Sequence, residues 1–325
     1  MKSTKGNIVQ ISICSVLLLL APAAYQTKQN ANQELIIFHA GSLAIPFDRI
    51  IEGFKKENPG VTVLREIAGS RECARKVSEL HRPCDILASS DYTVIDGLLI
   101  PTYAEWNLKF ATNEMTIVYR VKSRRSSEIN QQNWFDVLLD KSVSIGRADP
   151  DADPCGYRTI MAMKLAELYY GKRGLAERLL KKDPEYIRPK EVDLLALLET
   201  GELDYIFLYR SVAEQHGLKF LTLPDKINLK KAEFEDYYKQ VSVELSGATP
   251  GEKVIQYGSS TVYGVTIPKN SPHPELAGKF IHYLMNKDRG LKIMEQMGQP
   301  TVVPSICNTY DELPIEFRKY AIRGK

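Results

Sequence analysis

The sequence predicts an α/β protein of two lobes with a cleft between them. Three observations carry that expectation. The chain has 325 residues, too many for one small core and enough for two lobes of ordinary size. Short apolar runs rich in Ile and Val alternate with segments of helical period. The alternation is interrupted near Asn113 and then starts again.

The elements follow in order. "ELIIFHA" is a strand ending at Gly41, and Phe47, Ile50, Ile51 and Phe54 recur at helical spacing until Asn58-Pro59-Gly60 stops the helix. "VTVLREIA" is the next strand, Cys73, Val77 and Leu80 mark a helix face, and "DILASS" is a third strand. This β-α-β-α-β order implies a parallel sheet with helices on both faces. "EMTIVYRV" reads as a long strand leaving the first unit. Strand "VSIGRA", a helix from Tyr157 to Tyr170, helix "VDLLALLE", strand "DYIFLY" and helix "SVAEQH" build the second. "VYGVTIPK" reads as a return strand, and helices around "PELAGKFIHYLM" and "GLKIMEQM" close the chain. The expected division is a first lobe of residues 34–113 plus 269–325 and a second of 114–268.

Apolar content of 44% with 26% charged residues describes a globular chain. The net charge of +3 without a long basic block does not point to a nucleic-acid partner. Lys2 and Lys5, the uncharged run "IVQISICSVLLLLAPAA" and small residues at Ala21, Ala23 and Ala24 make residues 1–24 a signal peptide or an N-terminal anchor, with 25–33 as linker. Either outcome puts the folded part outside the cytoplasm, secreted or anchored at the outer face of the cell membrane. Export permits disulfides, and Cys73 and Cys84 flank one predicted helix, so a bridge or buried free thiols are both open. Cys155 and Cys307 complete the cysteines beyond the leader.

Ala-Gly-Ser occurs twice, at 40–42 and 68–70, each time between a predicted strand and helix. Glycine allows close backbone approach, serine is a helix cap or a hydroxyl donor, and the first-turn N–H groups of a helix attract anions. One such corner is most simply a cap, but two at matching places point to an oxyanion site containing Ser42 and Ser70. Across the cleft stand Asp153, a natural N-cap before Pro154, Glu191 near a helix start, and Tyr209 at a strand end. Two carboxylates beside a dianion repel it by several kcal/mol at about 4 Å. The conflict disappears when their oxygens bond to the central atom, which a hard, hexavalent metal such as molybdenum or tungsten accepts and sulfur in sulfate does not. Carboxylates then select the large oxyanion against the small ones.

The stretches "FHAGSL", "IAGSRECARKV", "DPCGYR" followed by "AELYY", "ETGELDYIFLYRSVAEQHGLKF" and "VYGVTIPKN" together resemble the tungstate/molybdate-binding proteins of ABC transporters, in their archaeal-type branch. The resemblance runs from Glu34 to about Thr309. It implies a two-lobed periplasmic-binding-protein-like fold of the second type, with molybdate or tungstate captured in the cleft for a membrane permease and its ATPase, by a monomer without cofactor or enzymatic activity. It implies six-fold coordination of the metal by four oxo groups and the carboxylates of Asp153 and Glu191, with Asp193 as the competing register for the second. It implies oxo contacts from Ser42, Ser70, the backbone near Cys155, and Tyr209.

Three other readings are weighed against this one. A sulfate or phosphate carrier fits the Ala-Gly-Ser corners but not the carboxylates. The 17 tyrosines keep a ferric-ion carrier in view. Cys155 at a helix start is the one candidate nucleophile for an enzyme, but His39, His81, His216, His273 and His282 are scattered at spacings that name no base. The chain has no G-x-x-x-x-G-K-[ST], so the energy for transport comes from partners.

Overall fold

The computed structural model describes residues 33–324; the expected leader and all of the linker but Gln33 lie outside them. Along the first part of the chain run β1 (Gln33–Ala40), α1 (Ala44–Glu57), β2 (Val61–Ala68), α2 (Ser70–Ser78), β3 (Ile86–Ser89), α3 (Tyr92–Leu98), β4 (Leu108–Thr112) and β5 (Met115–Tyr119). The middle holds α4 (Trp134–Leu138), β6 (Ile145–Ala148), α5 (Pro154–Tyr170), α6 (Leu175–Lys181), β7 (Ile187–Arg188), α7 (Asp193–Thr200), β8 (Tyr205–Tyr209), α8 (Arg210–Gln215) and β9 (Lys219–Thr222). Then come α9 (Glu235–Tyr238), the hairpin β10 (Ser242–Ser246) and β11 (Lys253–Tyr257), β12 (Val262–Thr266), α10 (Pro274–Leu284), α11 (Gly290–Gln296), β13 (Ser305–Cys307) and β14 (Ala321–Arg323).

Two five-stranded sheets organise these elements, in the orders β2-β1-β3-β12-β4 and β7-β6-β8-β5-β9. In the first, β1 pairs in parallel with β2 and β3, as the β-α-β-α-β order predicts, and β4 runs the same way, but β12 enters antiparallel between β3 and β4. Both sheets are therefore mixed. Because β12 pairs with β3 and β4, the first lobe resumes at about residue 262, ahead of the boundary expected at 269. The two crossings meet at the hinge, where the Asn113 N–H donates to the Thr261 carbonyl at 3.2 Å and the Met115 N–H to the Asn228 carbonyl at 2.8 Å.

Side-chain alternation along β1 sends Leu35 and Ile37 into a core with α1, α10 and α11, and Phe38 into a second core with α2 and α3. The α1 residues expected at helical spacing, Phe47, Ile50, Ile51 and Phe54, are all buried. Leu80 is the exception among the expected apolar faces, at 65% exposure, because α2 ends at Ser78 and the chain has already turned away. In the second lobe, β5, β6, β8 and the long α5 share one core with Trp134 and Phe135 of α4. No described helix is long and apolar enough to cross a membrane.

Candidate functional site

The N-terminal ends of α2 and α5 face each other across the cleft, and the lobes meet there. A Cβ on Gly69 would lie 2.3 Å from the Ala152 carbonyl oxygen and 3.0 Å from that of Pro189. A Cβ on Gly41 would lie 2.8 Å from Glu191 Oε2. The glycines of the twin Ala-Gly-Ser corners therefore make room for the opposite lobe. The serines do not cap helices: Gly69 is the N-cap of α2, Ser70 is its first residue, and Gly41–Leu43 form a separate 3₁₀ turn. Their hydroxyls enter networks in their own lobe. Ser70 Oγ accepts the Ser90 N–H at 3.0 Å and lies 3.2 Å from Ser90 Oγ. Ser42 Oγ accepts the Tyr263 hydroxyl at 2.9 Å. The N–H groups of Arg71 and Glu72, expected to meet an anion, donate instead to the Ala152 carbonyl of the other lobe at 3.1 and 3.2 Å.

Asp153 is the N-cap of α5 and more. Its Oδ1 accepts the Cys155 N–H at 2.8 Å, and its Oδ2 accepts the Glu191 N–H at 3.0 Å, which ties the loop before α7 to the start of α5. The Cys155 backbone, expected to face an oxo group, is thus directed at Asp153, since a helix N-cap carboxylate takes the second N–H of its own helix. Glu191 precedes α7 by two residues, is wholly enclosed, and has neither carboxylate oxygen in a hydrogen bond. Asp193 behaves differently: its side chain is 39% exposed and lies 3.4 Å from Lys190 Nζ. Enclosure thus favours Glu191 over Asp193 as the cleft carboxylate. Burial pushes both Asp153 and Glu191 above the usual carboxylate range, and the charge of Asp153 raises Glu191 further.

Tyr209, at the end of β8, is buried in the same place, and its hydroxyl oxygen accepts from Arg158 Nη1 at 2.9 Å. Cys155 Sγ packs 3.7 Å from the Phe207 carbonyl, and burial raises its thiol well above the ordinary value, leaving it a poor nucleophile. Cys73, Cys84, Cys155 and Cys307 are all free thiols, so the bridge between Cys73 and Cys84 is not formed. Among the described residues no group of three or more His, Cys, Asp or Glu side chains could hold a metal ion; Asp153 and Glu191 stand as a pair. A separate hollow of about 400 Å³ at the hinge is lined by Glu114, Arg210 and Lys230, whose charges pair with one another at 2.9 Å.

The sequence expectations missed Tyr157, Arg158, Asp91, Tyr263 and Gln299, which surround the candidate residues. One signal was available: Arg158 is the only charged residue in the first two turns of a helix whose residues there are mostly buried.

Residues 35–298 match the family described as bacterial extracellular solute-binding protein. The chain belongs to that family. This solute-binding protein is 40% identical over 312 residues to the molybdate/tungstate-binding protein WtpA of Pyrococcus abyssi, with 88% of this chain and 89% of that one covered. It is 38% identical over 348 residues to the WtpA of Thermococcus kodakarensis, covering 95% and 96%. It is 46% identical over 292 residues to a solute-binding protein of Petrotoga mobilis, covering 90% and 91%. Among solved structures, the periplasmic molybdate-binding protein of Azotobacter vinelandii superposes with a TM-score of 0.60 at 16% identity, covering 83% of this chain and 99% of that one. The solute-binding protein thus has the two-lobed fold of periplasmic binding proteins and works outside the cytoplasm.

Proposed function

We propose that this solute-binding protein captures tungstate or molybdate and delivers it to a membrane permease driven by a cytoplasmic ATPase. The observation that carries the reading is Glu191: a carboxylate enclosed by protein, both oxygens unpartnered, beside the second enclosed carboxylate of Asp153. A buried charge without partners costs several kcal/mol, and a guest that offers an electron-poor centre relieves that cost. A hexavalent metal in a tetrahedral oxyanion is such a centre. The relatives named for molybdate and tungstate support the same cargo.

In this reading Asp153 and Glu191 bond to the metal, while Ser42, Ser70 and Tyr209 donate hydroxyl protons to the oxo groups. Ser42 is suited to that role, since its oxygen already accepts from Tyr263 and its own proton is available. A ferric carrier would use tyrosinates as ligands, but Tyr209 accepts from Arg158, and Tyr263 accepts from Asn113 at 2.9 Å and from Gln299 at 3.4 Å. Those bonds compete with metal ligation, so the observations favour the oxyanion.

Competition calorimetry tests the proposal. Tungstate binds, molybdate displaces it, and sulfate displaces it only at far higher concentration. Displacement by sulfate at comparable concentration overturns the role given to the carboxylates.

A further inference from the structure

The last two residues of "DPCGYR", Tyr157 and Arg158, have no part in the ligand set above, yet both reach from the second lobe into the first. Arg158 is 1% exposed. Its Nη1 donates to the Ser90 carbonyl at 2.8 Å and to the Tyr209 hydroxyl oxygen at 2.9 Å. Its Nη2 lies 2.8 Å from Asp91 Oδ2, close enough for an ion pair although the N–H does not aim along that line. The same Asp91 oxygen accepts the Tyr157 hydroxyl at 2.6 Å. Asp91 is itself fixed, since its Oδ1 caps α3 through the Thr93 N–H at 2.9 Å.

Each of these partners bears on a residue assigned to the cargo. Tyr209 has a single proton, and with Arg158 donating to its oxygen that proton is directed elsewhere. Ser90, whose carbonyl Arg158 holds, gives its N–H to Ser70 Oγ. We propose that Arg158 is a positioning residue that couples closure to binding: one guanidinium ties Tyr209 of the second lobe to the Ser90–Asp91 turn of the first, so that the hydroxyls of Tyr209 and Ser70 are set for the cargo only when the lobes meet. Arginine suits this task because its rigid fork reaches several acceptors at once, which a lysine ammonium on a flexible stem does not. The open form separates Arg158 from Asp91 and Ser90, and reopening for release must break that buried pair.

The inference rests on the oxyanion reading of the site, and a double-mutant cycle on the full chain tests it with sodium tungstate as probe. Arg158→Lys, Tyr209→Phe and the double variant are compared for affinity by calorimetry, for dissociation rate by stopped flow, and for closure by small-angle scattering. Each single change is expected to weaken binding by about 10- to 100-fold, the range for a charged hydrogen bond, and to speed dissociation. The double variant is expected to be no weaker than the worse single one, because Arg158 acts through Tyr209. A merely structural role would give losses that multiply, and that result overturns the inference, as does wild-type dissociation in Arg158→Lys. Should Arg158→Lys fail to fold, Asp91→Asn removes the interlobe charge pair with Arg158 in place. Faster tungstate dissociation from it supports the coupling, and an unchanged rate overturns it. Failure of the unsubstituted protein to bind tungstate overturns the oxyanion reading itself, whereas tight binding with multiplying losses overturns only the role of Arg158.

Discussion

Glu191→Gln separates the stability of the protein from its function and gives them opposite signs. The ordinary value for glutamate is 4.5, and burial, with Asp153 beside it, holds Glu191 well above that in the folded chain. Below 4.5 the folded and unfolded chains both carry the proton, and the group contributes nothing to the pH dependence. As pH rises past 4.5 the unfolded chain ionises first, so stability is lost at about 1.4 kcal/mol per pH unit until the raised value is passed. The full slope applies because Glu191 is wholly enclosed, and solvent does not screen it. An amide does not titrate. Without tungstate, the Gln variant and the parent should therefore unfold alike near pH 4.5. The variant should then gain on the parent by roughly 3 °C in Tm per pH unit. With tungstate at about 1,000 times Kd, the parent should gain about 4 kcal/mol and the variant little. Thermal denaturation followed by circular dichroism from pH 4.5 to 8, with and without tungstate, reads both effects. Parallel pH curves, or an equal gain from tungstate in the two proteins, would refute the reasoning.

Gly69→Ala puts a Cβ 2.3 Å from the Ala152 carbonyl across the cleft, while Gly69 itself has φ −58°, which alanine adopts freely. Both lobes should fold with Tm nearly unchanged, while scattering shows an open form and calorimetry shows tungstate binding at least about tenfold weaker. Asp153→Asn keeps an equally good cap for α5, so helix content should be preserved. Calorimetry should nevertheless show a tungstate loss beyond the 10- to 100-fold typical of a group that only supports a ligand. His39 is fully buried and lowered from 6.5 to about 3 by desolvation. It therefore remains neutral in the folded chain, and its contribution, complete above pH 6.5, is lost at about 1.4 kcal/mol per unit as pH falls toward 3. His39→Gln should flatten the acid limb of a denaturant-midpoint series, and an unchanged limb would count against buried neutral His39.

What was legible in the sequence was local. The apolar spacing of Phe47, Ile50, Ile51 and Phe54 located α1 because a helix buries one stripe whatever it packs against. Asp153 before Pro154 located the start of α5 for the same kind of reason. The placement of β12 beside β3 and β4 was not legible, since pairing partners are chosen by the whole sheet and not by the strand. The twin Ala-Gly-Ser corners were found but half understood. Their glycines answer to Glu191, Ala152 and Pro189, which are distant in sequence and belong to the other lobe. Arg158 was invisible as a buried bridge because arginine on a helix is ordinarily solvated, and only the position of Asp91 across the cleft makes its burial tolerable.

The charges enclosed at the cleft suggest why closure should depend on cargo. Asp91, Asp153 and Glu191 are all buried there, and Arg158 lies beside Asp91, while the buried guanidinium of Arg71 is taken up by the Asp151 and Ser246 carbonyls. Asp91 and Arg158 balance, which leaves Asp153 and Glu191 to share a space from which water is excluded. Closing on nothing forces that pair to hold protons or to repel. Closing on sulfate adds two further negative charges and a sulfur that accepts no additional oxygen. In the proposed reading, closing on tungstate would supply a metal that takes the carboxylate oxygens, so that the repulsion opposing the other two outcomes would become bonding. On that proposal the same two residues would reject the small oxyanion and reward closure on the large one, while Arg158, bonded to Tyr209 and Ser90 together, would couple both lobes to the closed arrangement.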